Sequence, residues 1–220
     1  MSDLYIGLMS GTSMDGIDAV LVRFHGERPE LLASHAQPWP IKVINRLHAL
    51  CNPGPNEIDR MGEMDQLVAV HFAGAVRALL AKTGHHPNQI RAIGSHGQTI
   101  RHRPELGFTL QIGNGARLAV ETGIDVICDF RAKDMALGGH GAPLVPAFHR
   151  ELFSASHQNR VIVNIGGIAN ITVLPAEGPC IGFDTGPGNL LLDSWCNRHQ
   201  GKEYDDNGQW AAGGICNQDL

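Results

Sequence analysis

Apolar residues near the start of the chain form three short runs, at residues 5–9, 19–24 and 31–39. β-Branched and aromatic side chains fill these runs, and glycine-rich or proline-rich breaks separate them. Runs of this kind predict three β-strands. The loop at residues 11–18 joins the first two, so we expect the chain to open with a strand, a glycine-rich loop and a second strand.

The spacing of apolar residues becomes that of a helix over residues 56–82. Apolar residues that recur every three or four positions lie on one helix face, and such a stripe normally packs in a core. Asn56 can cap the start of this helix, and Gly84 can end it. The residues with this spacing are Met61, Met64, Val68, Phe72, Val76 and Leu79.

Shorter elements follow the helix. We predict a buried strand at residues 90–94 and then a polar turn. Next come a strand at residues 108–112, a short helix at 116–121 and a strand at 125–128. Three strands followed by alternating helices and strands imply a mixed α/β sheet.

A loop-rich stretch at residues 131–146 separates this first unit from a second one. The second unit opens with an apolar strand at residues 160–164, and we place the boundary within residues 143–150. The expected domains are therefore residues 1–145 and residues 146–220.

The second unit repeats the opening of the first, because IGLMSGTSMDGIDAVLV and VIVNIGGIANITVL both fit a strand, a glycine-rich turn and a strand. A strand at residues 181–183 follows, and Pro187 suits the first turn of a helix that carries Leu190, Leu191 and Trp195. The final segment, KEYDDNGQWAAGGICNQDL, offers no closing strand or helix. We expect a complete first lobe and a truncated second lobe, whose exposed apolar surface would favour association, including a homodimer.

The charge pattern excludes several classes of partner. Lys and Arg number 17 against 22 Asp and Glu, and no block of five like charges occurs. We therefore expect no nucleic-acid partner and no membrane-binding surface. No run approaches the roughly 20 consecutive apolar residues of a membrane span, and the first residues do not form a signal peptide, so we expect a cytoplasmic protein.

Cysteine and histidine give no metal-binding pattern. The five cysteines are widely spaced and form no CxxC pair, and the 12 histidines occur without an HExxH motif. Reduced thiols are the natural interpretation of such cysteines. We expect no metal site built from protein side chains alone.

Glycine, at 27 of 220 residues, collects in loops beside the predicted strands, where it lets a backbone approach a ligand closely. In the first loop, GTSMDGID, backbone N–H groups can surround phosphate oxygens, and Asp15 and Asp18 can act through Mg²⁺. The alternative is an ordinary hairpin turn. The candidate ATP- and phosphate-binding residues are Gly11, Thr12, Ser13, Met14, Asp15, Gly16, Ile17 and Asp18.

Further strings place polar side chains beside predicted strands. GFDTGPGN puts Asp184 ahead of a helix, in the position of a general base or of a helix-capping residue. SHGQTIRHRP offers His96, Gln98 and Thr99 to a polyhydroxylated ligand, unless His96 only orients the loop.

The string DFRAKDMALGGHGAPLVP contains the charged residues Arg131 and Asp134, just past a predicted strand end. The Arg131 guanidinium can hold a carboxylate with two parallel hydrogen bonds. Alternatively, Arg131 and Asp134 lie one turn apart and pair with each other on a solvated face.

Together these strings are similar to the anhydro-N-acetylmuramic acid kinases, a branch of the actin, hexokinase and Hsp70 superfamily. The resemblance covers essentially all 220 residues and rests on GTSMDGID, SHGQTIRHRP, TLQIGNG, CDFRAKDMALGGHGAPLVP, VNIGGIANIT and GFDTGPGN. It implies the α/β ATPase fold of that superfamily, with ATP and Mg²⁺ as cofactors. The implied activity opens the ring of 1,6-anhydro-N-acetylmuramic acid and phosphorylates O6 of this small amino sugar.

The resemblance also implies residue roles. Asp184 matches the catalytic base of the family, and Gly166 and Gly167 match its second phosphate loop, for which a plain hairpin is the alternative. The family's adenosine-binding glycine motif falls beyond residue 220. The implied substrate-binding residues are His96, Gln98, Thr99, Arg131 and Asp134.

Three other interpretations stay open from the sequence. The chain can be another kinase or phosphatase of the superfamily, with a different acceptor placed against Asp184. It can be a non-catalytic ATP-binding module in which hydrolysis only moves the lobes. It can also be an inactive fragment of the kinase.

Overall fold

The computed structural model describes residues 3–26, 28–216 and 218, and the chain divides into two compact units, Met1–Gly141 and Ala142–Leu220. Both units combine β-sheet with helices, which confirms the predicted α/β class. The first unit holds β1 (Leu4–Ser10), β2 (Gly16–His25), β3 (Arg28–Pro38), α1 (Ile41–Leu50), α2 (Glu57–Thr83), β4 (Ala92–Arg103), β5 (Phe108–Ile112), α3 (Gly115–Thr122), β6 (Val126–Ile127) and α4 (Phe130–Ala136). The second holds α5 (Val145–Phe153), β7 (Arg160–Ile165), β8 (Ile168–Leu174), β9 (Ile181–Pro187), α6 (Leu190–Gln200) and α7 (Gln209–Ala212).

The sheet of the first unit is mixed, as predicted. Its strand order is β3-β2-β1-β4-β5, and β6 pairs with β4 outside this path. β1 is antiparallel to β2 and parallel to β4, whereas β4 is antiparallel to β5 and parallel to β6. Parallel neighbours need a long crossover connection. Here α1 and α2 lie within the chain segment that brings β4 beside β1.

Helix α2 packs its predicted apolar stripe into the core of the first unit. Val68, Phe72 and Leu79 are fully buried in one cluster with residues of β1 and β4. By length and composition this helix could cross a membrane, and half of its apolar stretch is buried inside the protein. Gly84 ends the helix in a left-handed conformation, as predicted, and its N–H donates to the Leu80 carbonyl. Asn56 occupies the N-cap position, as predicted, but its side chain makes no capping hydrogen bond.

The predicted polar turn after residue 94 is wrong, because strand β4 runs through this segment. The strand continues to Arg103, and Ser95, Gln98 and Ile100 are buried along it. The polar side chains mimic a turn in the sequence, but they are accommodated inside the sheet. Gly97 adopts a φ of +75°, and a Cβ there would lie 2.8 Å from the Ile112 carbonyl oxygen, so this position in β4 requires glycine.

Helices α1, α4 and α5 lie where no helix is predicted. Only Val43, Leu47 and Leu50 of α1 are buried, which is too short a periodic pattern to stand out. No residue of α4 or α5 is buried. The prediction of a loop-rich stretch at residues 131–146 is therefore wrong at both of its ends, although Val145, Phe148 and Leu152 of α5 recur at helical spacing.

The second unit contains a three-stranded antiparallel sheet with the order β7-β8-β9. β7 and β8 form the hairpin predicted from the internal similarity. Helix α5 packs against β8, where His149 Nδ1 lies 2.8 Å from Thr172 Oγ1. Pro187 is the last residue of β9, so its placement in the first turn of a helix is wrong. Gly188 and Asn189 extend the turn before α6 begins.

One face of this second sheet is apolar. The register aligns Val163 with Ile171 and Ile171 with Phe183, and directly opposed residues share a face. An apolar surface of this kind favours association; the homodimer itself stays a prediction. The exposed side chains of β7 and β9 on this face are Val161, Val163, Ile165, Ile181 and Phe183.

We expect Leu79→Ala to lower the free energy of unfolding by about 2–5 kcal/mol, because the substitution leaves a cavity in the core. Ile58→Ala is the matched control, since Ile58 lies in the same helix and is 80% exposed. Its effect should stay within about 0.5 kcal/mol. Urea denaturation measures both, and equal losses would contradict this placement of the buried helix face.

Candidate functional site

The predicted sites of the first unit lie at one edge of its sheet. β1 and β6 both run parallel to β4, so the carboxyl ends of the three strands point the same way. The loop at residues 11–15 follows β1, His96 lies on β4, and Arg131 follows β6 in helix α4. This is the edge at which open α/β sheets bind ligands.

The loop at residues 11–15 has a buried base and an exposed tip. Met14 adopts a left-handed φ of +56°, and its side chain belongs to the hydrophobic core together with that of Ile17. Thr12, Ser13 and Asp15 are exposed. The Ser13 hydroxyl donates to Asp15 Oδ1 at 2.9 Å. The loop therefore presents hydroxyl and carboxylate groups to solvent, whereas Met14 and Ile17 offer a ligand only their backbone.

The predicted carboxylates of this loop are accessible. Asp15 lies at the tip, and Asp18 is an exposed residue of β2. No group of three or more His, Cys, Asp or Glu side chains in the described part of the chain is arranged to hold a metal ion. Mg²⁺ at phosphate-transfer sites takes few protein carboxylates and keeps water and substrate phosphates as its other ligands. Accessible Asp15 and Asp18 fit Mg²⁺ that arrives with a nucleotide.

Gln98 is buried beneath this loop, whereas Thr99 is partly exposed. The Gln98 side chain is 0% exposed, and its amide nitrogen lies 3.0 Å from the Gly11 carbonyl oxygen. Thr99 Oγ1 accepts from Gln111 Nε2 at 3.1 Å. A buried amide that is bonded inside the protein does not reach a sugar, so the geometry favours another role for Gln98.

His96, Arg131 and Asp134 come together around Gly141. Arg131 Nε donates to His96 Nε2 at 2.9 Å, and the guanidinium also donates to the Gly141 carbonyl. The Gly141 N–H donates to Asp134 Oδ2 at 2.7 Å. Arg131 and Asp134 thus bind the two ends of one residue, and His96 belongs to the same cluster.

The contact with Arg131 requires His96 to be neutral at Nε2. Burial lowers the pKa of His96 below the ordinary value of 6.5, and the Arg131 charge lowers it further, although the hydrogen bond to the Gly97 carbonyl acts in the opposite direction. The His96 Nδ1 atom lies 2.9 Å from the Gly97 carbonyl oxygen, so Nδ1 carries the proton. His96 therefore orients the cluster and is held as a neutral ring.

In the second unit, Asp184 is an exposed residue of β9. Its cross-strand neighbour is Asn170, and the neighbour of Asn170 on β7 is Asn164. These three polar residues form one row across the sheet. Asn170 Oδ1 is buried and makes no hydrogen bond within the described residues. Asn189, and not Asp184, occupies the N-cap position of α6, which removes the helix-capping interpretation of Asp184.

Gly166 and Gly167 form the turn between β7 and β8. Their carbonyl oxygens accept hydrogen bonds from the start of the next helix, with Asn189 N donating to Gly166 O and Gly188 N to Gly167 O, both at 2.9 Å. The glycine turn and the GPGN turn are therefore one structure. Sequence reasoning missed the part played by Gly188 and Asn189, although both lie in the string that contains Asp184.

Comparison with known proteins identifies one family. The family described as "Anhydro-N-acetylmuramic acid kinase" matches residues 3–220. A protein of that name from Shewanella oneidensis is 58% identical over 219 residues, which cover 98% of this chain and 59% of the relative. Its namesake from Shewanella denitrificans is 57% identical over 221 residues, covering 99% of this chain and 60% of the relative. The chain thus spans about three fifths of the length of these curated relatives.

Similarity to solved structures is low. An Aquifex aeolicus Ppx/GppA phosphatase matches with a TM-score of 0.41 and 9% identity, over 87% of this chain and 55% of the phosphatase. A Schistosoma mansoni hexokinase with bound glucose matches with a TM-score of 0.38 and 11% identity, over 78% of this chain and 36% of the hexokinase. Matches at this level carry no argument about the site.

We expect the first unit to lose stability as the pH falls below the ordinary histidine pKa of 6.5. The folded-state pKa of His96 is depressed, so its stabilising contribution is complete above 6.5 and is lost as the pH falls toward the folded-state value. Denaturation at a series of pH values from about 5 to 8 measures this dependence, which His96→Asn should flatten.

His102→Asn is the control for this pH dependence, because His102 is an exposed residue of the same strand. It should preserve the pH dependence of the unchanged protein. His71, whose pKa burial also lowers, is kept in every variant, so its effect cancels. Identical pH dependence with and without His96 would contradict the assigned neutral contact.

We expect Gly188→Ala to destabilise the second unit by about 1–3 kcal/mol, because the added Cβ would overlap the Gly166 carbonyl oxygen. Gly213→Ala is the control, since a Cβ there meets its nearest atom at an ordinary 3.5 Å. Thermal unfolding of both variants measures the difference. Equal stability of the two variants would contradict the conclusion that the glycine turn and the GPGN turn form one structure.

Proposed function

The chain belongs to the anhydro-N-acetylmuramic acid kinase family, and on that basis we propose that it takes part in ATP-dependent phosphorylation of 1,6-anhydro-N-acetylmuramic acid. The product would be N-acetylmuramic acid 6-phosphate, formed during recycling of cell-wall peptidoglycan in the cytoplasm. The family match over residues 3–220 carries this proposal, because it includes every candidate site residue.

The loop at residues 11–15 binds the phosphates in this proposal. The exposed hydroxyl of Thr12 and the backbone N–H groups of the tip supply hydrogen-bond donors, which phosphate oxygens require. Asp15 and Asp18 are the residues that would hold Mg²⁺. When bound, Mg²⁺ neutralises charge on the transferring phosphoryl group.

The cluster of His96, Arg131 and Asp134 binds the sugar. The positive charge of Arg131 attracts the lactyl carboxylate, and charge-assisted hydrogen bonds to such a group are the strong ones. Because Arg131 and Asp134 both hold Gly141, the backbone of this segment and the sugar-binding charges are positioned together. Thr99 offers a partly exposed hydroxyl on the same strand as His96.

Asp184 acts as the general base. O6 of the substrate is bonded to C1, so no free 6-hydroxyl exists until the ring opens. Asp184 takes a proton from water while the water oxygen bonds to C1 and the C1–O6 bond breaks. The released O6 bonds to the γ-phosphorus of ATP, and ADP leaves. Attack by a base-activated water opposite the departing oxygen inverts the configuration at C1.

We expect Asp184→Asn to reduce product formation by about 100-fold or more, since positioned general bases contribute at least that factor. Mass spectrometry of the chain with MgATP and 1,6-anhydro-N-acetylmuramic acid should show a product heavier by one phosphoryl group and one water. Glu177→Gln is the control, because Glu177 is another exposed carboxylate of the second unit. It should retain the activity of the unchanged chain.

Two results would contradict the proposal. Full turnover by Asp184→Asn would remove the general base from its assigned position. Hydrolysis of ATP without any phosphorylated sugar would instead favour a non-catalytic nucleotide-binding module.

A further inference from the structure

Two backbone carbonyl groups mark the ends of the loop at residues 11–15, and both turn toward the protein interior. The Gly11 carbonyl oxygen accepts from Gln98 Nε2 at 3.0 Å. The Gly16 carbonyl oxygen accepts from the Ser10 hydroxyl at 2.8 Å. Side chains outside the loop therefore lie within hydrogen-bond distance of the carbonyl groups at both of its ends.

Ser10 and Gln98 are themselves joined. Ser10 Oγ lies 2.6 Å from Gln98 Oε1, and the two residues stand opposite each other in the parallel pairing of β1 and β4. Ser10 is 1% exposed and Gln98 is 0% exposed. Buried polar groups of this kind need partners inside the protein, because an unpaired one is costly.

Trp39 completes the arrangement. Its Nε1–H donates to Ser10 Oγ at 2.9 Å, and its ring packs against His71 and Phe72 of helix α2. Ser10 thus accepts one hydrogen bond while its single proton serves the Gly16 carbonyl or Gln98. The loop is connected through Ser10 to the packed core of the first unit.

We propose that Ser10, Gln98 and Trp39 are positioning residues that hold the loop at residues 11–15 in the shape that receives nucleotide phosphates. The identity of the ligand rests on the proposed function. None of the three side chains is accessible to a ligand, and all three act through the loop backbone. For Gln98, this role replaces the predicted contact with the sugar.

The contacts at the ends of the loop also stabilise a strained backbone conformation within it. Met14 adopts a left-handed backbone conformation, which residues other than glycine rarely adopt. Its N–H donates to the Gly11 carbonyl at 3.2 Å, the same oxygen that Gln98 holds. The substitution of Gln98 removes one donor to the Gly11 carbonyl oxygen, which also accepts the Met14 N–H. Hydrogen exchange at the Met14 amide therefore reports whether Gln98 stabilises the loop.

The test compares Gln98→Met with Gln111→Met in the full chain. Gln111 is the matched control, because it lies on the adjacent strand β5 and its amide bonds Thr99 and Thr109 instead of the loop. Hydrogen exchange at the Met14 amide should be about tenfold faster or more in Gln98→Met, reflecting an unpaired buried group. It should be unchanged in Gln111→Met.

Calorimetric titration with MgATP supplies the functional readout. The dissociation constant should rise by about tenfold in Gln98→Met and stay constant in Gln111→Met, because loss of preorganisation weakens binding. Trp39→Phe removes the indole N–H and retains an aromatic ring, so it should reproduce the effect in part. This variant also serves as the test if Gln98→Met does not fold. Ser10→Thr, which keeps the hydroxyl, should bind more tightly than Ser10→Ala.

The outcomes separate the two proposals. If the unchanged chain binds no MgATP, the proposed function fails, while exchange at Met14 still decides whether Gln98 supports the loop. Equal hydrogen-exchange rates at the Met14 amide in Gln98→Met and Gln111→Met would contradict the proposal that Gln98 stabilises the loop. Faster exchange at Met14 with unchanged MgATP affinity would overturn its role in phosphate binding. If hydrogen exchange in Gln98→Met became equally faster throughout β1 and β4, Gln98 would have only a general stabilising role. This result would also overturn the proposal.

Discussion

The first unit depends on a pair of buried polar side chains, Ser10 and Gln98, that lie between its sheet and its glycine-rich loop. Ser10 and Gln98 stand opposite each other on parallel strands where apolar residues would pack more simply. Because neither side chain reaches water, each must be bonded within the protein. Gln98 donates to the carbonyls of Gly11 and Thr99, Ser10 accepts from the Trp39 indole, and the single Ser10 proton serves either Gln98 or the Gly16 carbonyl. The same set of hydrogen bonds therefore satisfies the buried side chains and fixes the shape of the loop.

This requirement explains why the string GTSMDGID mixes two kinds of residue. Met14 and Ile17 belong to the core, while Thr12, Ser13 and Asp15 face solvent. A short loop that must present a fixed polar tip needs apolar side chains pointing inward to anchor it. Membership of such a string therefore does not make each side chain a ligand.

The sequence predicts the elements whose signals are local. Helix α2 is recognisable because its stripe runs at helical spacing for many turns, and Gly84 ends it by its own conformational preference. Strand β4 is mistaken for a turn because the partners of its polar residues are distant in the chain. The same distance hides the role of Gln98, since its bond to Ser10 spans 88 positions. Helices α4 and α5 have only seven and nine residues, so their sequence patterns are short. The string that contains Asp184 predicts a strand that ends at residue 183, whereas β9 continues to Pro187 and includes Asp184. The row that Asp184 forms with Asn170 follows only from the strand register.

The separation between Ser10 and Gln98 also bears on the order in which the protein assembles. Strands β1 and β2 are neighbours in the chain and can pair through a short connection. The pairing of β1 with β4 requires a much longer segment to close, and that entropic cost is met before the contacts form. The loop at residues 11–15 therefore reaches its final shape only when the sheet is completed. A ligand that recognises this shape would bind finished molecules and leave nascent hairpins untouched, so it would report that folding has ended.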